Sequence, residues 1–449
     1  MADNVIGKAG DIEILEVIIT PLAGDQADIR LHIGELNLFE DMYSPGLYGN
    51  LLVVDAINLN NVLNLTGDEW ITLKLKTPSM PDDVSLIHKT FKLYSITDRQ
   101  MLSDTGKQSY ILHFCSPELI MDSMRPLYQN YEGKISDVVS KIFTENLSQD
   151  RTGPNDATTL IVQGPTSNNV KFVSPGWRPI QCINWLASKA LGEGFRNPGY
   201  LFYESNKAYY FANVEALIDA SVQSKQVYQN YVFAAKQNSA DQSDPYNKSI
   251  DINDDYAKVE HMHVVQNMNS FRNLQNGYYA NKLFTLDLHT KDYNKGYVYD
   301  HVEHYKDYVH MENIAGNKDC APFSSGVEYG HNATLNFYPK NRNLYTGFLD
   351  NVSDNIERIL PQRLSSLTEI SNFKIEITVP GRTDIEVGFM VRFSYPDTSP
   401  RDERDFATNK EDTLYTGYYL VTAIRHKITL NSHVMTLELS KDSLSRRPS

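Results

Sequence analysis

Cysteine is scarce: Cys115, Cys182 and Cys320 are the three in a chain of 449 residues. They are far apart, odd in number and without a C-x-x-C pair, so neither a disulfide framework nor a zinc ribbon is implied, and a reducing compartment fits. Long apolar runs are missing too. No stretch approaches the roughly 18 residues that span a bilayer, and Met1-Ala2-Asp3-Asn4-Val5 has no basic segment leading into an apolar one, so a soluble protein without membrane insertion is expected. Basic charge is in deficit: 42 Lys and Arg stand against 56 Asp and Glu, a net charge of −14. That balance disfavours tight binding to phosphate backbones or anionic membranes. It favours solubility.

Recognisable chemistry is absent as well. No G-x-G-x-x-G opens a helix after a strand, Thr105-Gly106-Lys107 lacks the upstream glycine and following hydroxyl residue of a phosphate loop, and there is no G-x-S-x-G elbow. The best metal candidates are His301, His304 and His310, with His261 and His263 across one strand face, but their spacing is not the i, i+4 pair of a helical zinc site. They read as polar residues on an aromatic-rich insertion, and whether His261, His263, His301 and His304 bind a metal is left open by the spacing. The many carboxylates cannot be placed at glycosidase separations from sequence. No catalytic residue, cofactor or metal is assigned, and a non-enzyme is expected.

What the chain has is β pattern and aromatic side chains, 28 Tyr and 18 Phe. From Asp11 to Cys115 apolar residues alternate with period two, as in Ile29, Leu31, Ile33; Ile71, Leu73, Leu75; and Tyr110, Leu112, Phe114. Pro45-Gly46, Gly67-Asp68 and Asp104-Thr105-Gly106 punctuate the strands as turns. After Ser116-Pro117 the period becomes helical: Ile135, Val138, Val139, Ile142, Phe143 and Leu147 share one face. A second helix follows Arg178-Pro179, with proline at the first helical position and Gly192 as the stop. Tyr200–Tyr203 and Ala208–Phe211 around Ser205-Asn206-Lys207 predict a hairpin. Gln226 to Asp255 reads as a loop. Strands are predicted over Val259–Met268, Tyr278–Leu288 and Phe373–Leu439, and a helix bearing Ile356, Ile359 and Leu367 is expected to kink or split at Pro361.

An internal repeat is legible. Ile71–Pro78 lies over Phe389–Pro396, Phe91-x-Leu93-x-x-Ile96 over Tyr419-x-Val421-x-x-Ile424, and Tyr110-x-Leu112-x-Phe114 over Met435-x-Leu437-x-Leu439. Any two meanders align to some degree, but the shared order implies two similar small β-barrels. The expected fold is α+β, mainly β. It has a first barrel over 1–116, a mixed α/β module over 117–225, a second barrel over 226–289 with 366–449, and an insertion over 290–365.

Three segments carry a family resemblance: Phe39 to Asp55 with the Gly67-Asp68-Glu69 turn, Phe172 to Ile180 leading to Leu186-Ala187, and Asn372 to Gly381 into Val387-Gly388. Together they resemble the central baseplate hub proteins of contractile-tailed, T-even-like bacteriophages, which are related to the hub part of type VI secretion spike proteins. The resemblance implies a homotrimer whose two tail-tube-like barrels per subunit make a pseudo-sixfold ring. It also implies a tail tube protein or tube initiator on one face, a separate spike protein on the other, and neighbouring wedge proteins. DNA and tape measure would pass through the channel without specific binding. The location implied is the virion tail baseplate, assembled in the host bacterial cytoplasm. A receptor-binding adhesin and a tail-associated cell-wall hydrolase are the alternative readings. The run from Tyr43 to Val54 contains no Lys or Arg, so Tyr43, Leu47, Tyr48, Leu52 and Val54 are the expected subunit interface, on a strand edge left unprotected in the monomer.

Overall fold

The computed structural model describes residues 8–444 apart from 23, 79, 102–106, 149–157, 234–251, 267, 288–290, 317–333, 341–354 and 398–410. The expected Asp104-Thr105-Gly106 turn and Cys320 lie outside the described residues. The fold is mainly β and built from antiparallel sheets, as the alternating pattern implies.

The N-terminal strands are β1 (Glu13–Thr20), β2 (Ile33–Asp41), β3 (Tyr48–Asp55), β4 (Trp70–Lys76), β5 (Ile87–Met101) and β6 (Gln108–Cys115), in spatial order β1-β4-β5-β6-β3-β2. Alternate residues turn inward. Val17, Ile19, Leu51, Ile71, Leu73, Leu112 and Phe114 form one apolar core, each removing enough area from water to contribute about 1.5–3 kcal/mol.

A second set of strands repeats this arrangement. β7 (Gln229–Phe233), β8 (His261–Gln266), β9 (Lys374–Pro380), β10 (Met390–Ser394), β11 (Gly417–Thr429) and β12 (Ser432–Ser440) lie in the order β7-β10-β11-β12-β9-β8. Each strand of the first sheet thus has its counterpart six places on. The pairing Phe91–Ile71 matches Tyr419–Val391, and Ile96–Leu112 matches Ile424–Leu437. The register shift between Leu93 and Ser95 recurs between Val421 and Ala423. The repeat read from sequence is therefore real in strand order. Over β4 and β10, however, the equivalence of Ile71 is Val391 rather than Phe389; a slip of two preserves the inward and outward alternation, so pattern alone cannot detect it. One difference stands out: β1 runs antiparallel to β4, whereas β7 runs parallel to β10.

Three other expectations need correction. Neither sheet is a closed barrel. Among the described residues β1 and β2 share no ladder, and in the second sheet Lys258–Val259 pairs with β7 while β8, resuming after Glu260, pairs with β9, so the two edges are linked by the chain itself. Gln229–Phe233, read as loop, is β7; a five-residue strand with Tyr231 as its fully buried anchor leaves almost no periodicity to detect. The strand expected at Tyr278–Leu288 is present as Ala280–Asp287, but it pairs antiparallel with Asp292–Asp300 and parallel with Leu335–Lys340 in a separate small sheet. Alternation marks a strand and does not name its neighbour.

Between the repeats, helix α1 (Ile135–Asn146) and helix α2 (Pro179–Ala187) pack with a three-stranded sheet on a third core that includes Val139, Ile142, Phe143, Ile183, Phe202 and Phe211. The predicted hairpin forms from Tyr200–Glu204 and Tyr209–Asn213. Helix α3 (Ile356–Asn372) continues through Pro361 without splitting. The proline falls in the second turn, where the helix loses one hydrogen bond near its start, and Asn281 Nδ2 donates to its carbonyl at 3.3 Å.

Candidate functional site: the joint between the repeats

The two sheets are one continuous structure because β2 pairs antiparallel with β11, from Ala423–Asp41 to Ile428–Leu36. Strand β11 is long enough to serve three neighbours: β12 along one edge, and on the other β10 for its first residues and β2 for its last. The outer face of this ladder is polar. Arg425 donates through Nε and Nη2 to Asn37 Oδ1 at 3.0 and 2.9 Å, and Lys427 Nζ lies 3.1 Å from Glu35 Oε2.

The inner side is a buried polar cluster. His426 Nε2 is 3.2 Å from Glu40 Oε1, and its Nδ1 is 3.0 Å from His433 Nε2, with all three side chains out of contact with water. Burial, then the neighbouring His426, holds His433 well below the usual imidazole range, so it sits there neutral. Gly381 backs the His433 ring so closely that a Cβ would come within 2.1 Å of it, which is why glycine follows Pro380 here.

The module hairpin drives its turn into this cluster. Glu204 at the end of its first strand is fully buried. It accepts from Lys89 Nζ at 2.7 Å, from the Leu47 amide at 3.1 Å and from Ser116 Oγ. Burial alone would raise its pKa; the adjacent Lys89 ammonium and these hydrogen bonds outweigh burial and lower it. Lys89 also donates to Ser205 O at 2.7 Å. On the second repeat, Glu386 accepts from Ser205 Oγ at 2.5 Å and lies 3.0 Å from Lys207 Nζ. One four-residue turn is thus tied to β5 of the first sheet and to the Glu386 segment of the second.

The expected interface residues divide. Strand β3 is paired on both sides, by β2 and β6, so it has no free edge. The reason is sequence distance: β6, which covers that edge, lies some sixty residues on. Leu47 is buried, and Leu52 is half-buried. Tyr48 and Val54 are exposed on the outward face, and Tyr43 is exposed beyond the end of β2. The histidines scatter. His261 and His263 are exposed on β8, whereas His301 is buried against Tyr278 Oη at 3.1 Å and His304 Nδ1 lies 2.7 Å from Asp300 O. Among the described residues no three His, Cys, Asp or Glu side chains converge to hold a metal ion.

Sequence reasoning missed Glu40, Glu204, Glu386 and His426. Their signal is a charged or polar residue interrupting an apolar run, as Glu204 does at the end of its strand after Tyr200–Tyr203 and Glu386 does between Ile385 and Val387 in the connection from β9 to β10.

Two like sheets joined by one ladder, with an α/β module wedged at the joint, make a fold similar to that of solved tail proteins. The structure matches the tail protein from Neisseria meningitidis MC58 with a TM-score of 0.52 and 12% identity, covering 95% of this chain and 96% of that one. It matches the 43 kDa tail protein of prophage MuSo2 from Shewanella oneidensis with a TM-score of 0.50 and 8% identity, covering 96% and 99%. At these identities the likeness is one of fold. No family model matches the chain. In sequence, the chain is similar to the probable baseplate hub protein gp334 of Vibrio phage KVP40, 21% identical over 429 residues that cover 93% of this chain and 91% of that protein. The resemblance to baseplate hub proteins carried by three segments thus extends along nearly the whole chain.

Proposed function

We propose that this chain is a structural tail protein, the hub of a phage baseplate, without enzymatic activity. Three copies would form a ring of six like sheets, joining a sixfold tail tube to a threefold spike and leaving a channel for DNA ejection. The observation that carries the reading is the pair of sheets with the same strand order in one chain, fastened edge to edge by β2 and β11. A threefold assembly needs that device to present a nearly sixfold face. The similarity to a probable baseplate hub protein supports the same reading.

On this proposal the first repeat ends near residue 116, the module spans 117–225, and the second repeat comprises 226–289 and 366–449 except for the strand at Ala280–Asp287, which goes with the insertion over 290–365. The partners are the spike, the tube or its initiator and the surrounding wedge proteins, with assembly in the host cytoplasm and a final place in the virion baseplate. The net charge of −14 suits a channel through which DNA slides without binding. Size-exclusion chromatography with light scattering, followed by negative-stain imaging, tests this. A trimer with a central hole is expected; a protein that stays monomeric with its spike added sinks the reading.

A further inference from the structure

The joint within the chain shows how one repeat fastens to the next, and among the described residues the two strand edges that would make the same joint again carry no strand. In the second repeat, β11 is covered on one edge by β10 over Gly417–Leu420 and then by β2 over Ala423–Ile428. Its counterpart β5 is covered on that edge by β4 up to Lys92. From Tyr94 to Met101, among the described residues, no strand follows. Likewise β2 lies between β3 and β11, whereas its counterpart β8 has β9 on one side and, among the described residues, no strand on the other. Burial follows the same division. Ile424 is 2% exposed and its equivalent Ile96 is half-buried; Tyr94, Met101 and Val265 are 48%, 81% and 47% exposed.

We propose that copies of this chain join by strand pairing, the free edge of β8 in one copy adding antiparallel to the Tyr94–Met101 half of β5 in the next. The proposal deepens the ring reading and rests on it only for the number of copies.

The register can be written down from the internal joint. There, Arg425 faces Phe39, Lys427 faces Asn37 and Ile428 faces Leu36. Through the pairings with β6 and β12, Thr97, Gln100 and Met101 are the equivalents of Arg425, Lys427 and Ile428. Through β3 and β9, Gln266, His263 and Met262 are the equivalents of Phe39, Asn37 and Leu36. The predicted facing pairs are therefore Gln266 with Thr97, His263 with Gln100, and Met262 with Met101.

A detail of both edges supports this match. Strand β5 carries one extra residue between Thr97 and Gln100, and β8 carries one between Val264 and Gln266; neither irregularity occurs in β11 or β2 at that point. The two insertions fall opposite one another in the predicted ladder. One extra residue on each strand cancels, so the register holds on both sides of the bulge. The β8 edge, His261-Met262-His263-Val264-Val265-Gln266, also has none of the lysines or prolines that usually block strand addition.

Cysteine pairs across the seam test the proposal in the full-length chain. In an antiparallel ladder, neighbouring facing pairs alternate between hydrogen-bonded and closer non-hydrogen-bonded types, so one of two adjacent pairs has cross-linking geometry. The double variants H263C with Q100C and M262C with M101C are made, with the single variants as controls for the native cysteines. On mild oxidation at least one double variant should run as covalent multimers ending at three chains on a non-reducing gel, and the single variants as monomers. A protein that is trimeric by light scattering while neither pair cross-links overturns the seam and leaves the ring reading intact. Covalent ladders that run past three chains support the seam and overturn the three-copy ring. A monomer that never cross-links overturns both. Hydrogen exchange on the unmodified oligomer is an independent readout: amides of 95–101 and 261–266 should be protected relative to the dissociated chain, and rapid exchange in the oligomer rejects the seam.

Discussion

Lys89 Nζ lies 2.7 Å from Glu204 Oε1, and this ion pair, almost wholly withdrawn from water, ties β5 of the first sheet to the tip of the module hairpin. Among the contacts that tie the first sheet to the module, this one carries a high cost if broken. Replacing Lys89 with Met leaves the Glu204 carboxylate buried without its cation and should destabilise the fold by about 3–5 kcal/mol. The double variant K89M with E204Q should recover most of the loss. Denaturant titration of K89M, E204Q and the double variant measures this, and additive losses would mean the pair is not coupled.

Gly49 offers a packing test. A Cβ at this position would meet Phe114 Cζ at 2.2 Å and Asn37 O at 2.8 Å. G49A should therefore cost about 1–3 kcal/mol as overpacking, and F114L should relieve part of it. Thermal melts of the single and double variants check the sign of the coupling.

A pH dependence follows from the cluster around α3. Glu369 is pushed up to about 8 by burial, and His310 reaches about 9 because its hydrogen bond to Asp442 and that residue's charge outweigh burial. Both groups hold a proton in the folded chain that the unfolded chain gives up earlier. Their contribution is fully present below the unfolded values and declines as pH rises toward 8 to 9. The melting temperature should fall between about pH 6.5 and 9, and H310N should flatten that slope. His301, held down at about 3 by burial and by the nearby His310, acts in the opposite sense, with stability lost as pH falls from 6.5 toward 3. Melts across pH in the two variants H310N and H301N separate the two arms.

The outward face of β3 can be tested directly. Val54 is 38% exposed and Leu52 half-buried on that face, so L52K and V54K should remain folded by circular dichroism. If this face meets a neighbouring subunit, as the sequence leads one to expect, both should lower the oligomer fraction in light scattering by several-fold. Two folded variants with undiminished trimer would exclude the face.

Much of the architecture was legible because period-two alternation survives wherever one sheet face is buried. Phe91, Leu93 and Ile96 align with Tyr419, Val421 and Ile424 in sequence as in space. What could not be read is which edge meets which. Pairing of β6 with β3, of β2 with β11, or of Ala280–Asp287 with Leu335–Lys340 is decided by tertiary packing across long chain separations. The joint was hidden for a related reason. Glu40, Glu204 and Glu386 look in sequence like three of many carboxylates, and only the fold brings them to one turn at Ser205–Ala208.

The ladder between β2 and β11 also fixes how the subunit bears load. Antiparallel hydrogen bonds stand perpendicular to the strands, so sliding one repeat along the strand direction strains every pair from Ala423–Asp41 to Ile428–Leu36 at once, whereas peeling strains them one at a time. The two halves of the subunit are thus rigidly coupled along the strand axis and separable only from an end. A thrust delivered along those strands passes from one repeat to the other without a hinge to absorb it.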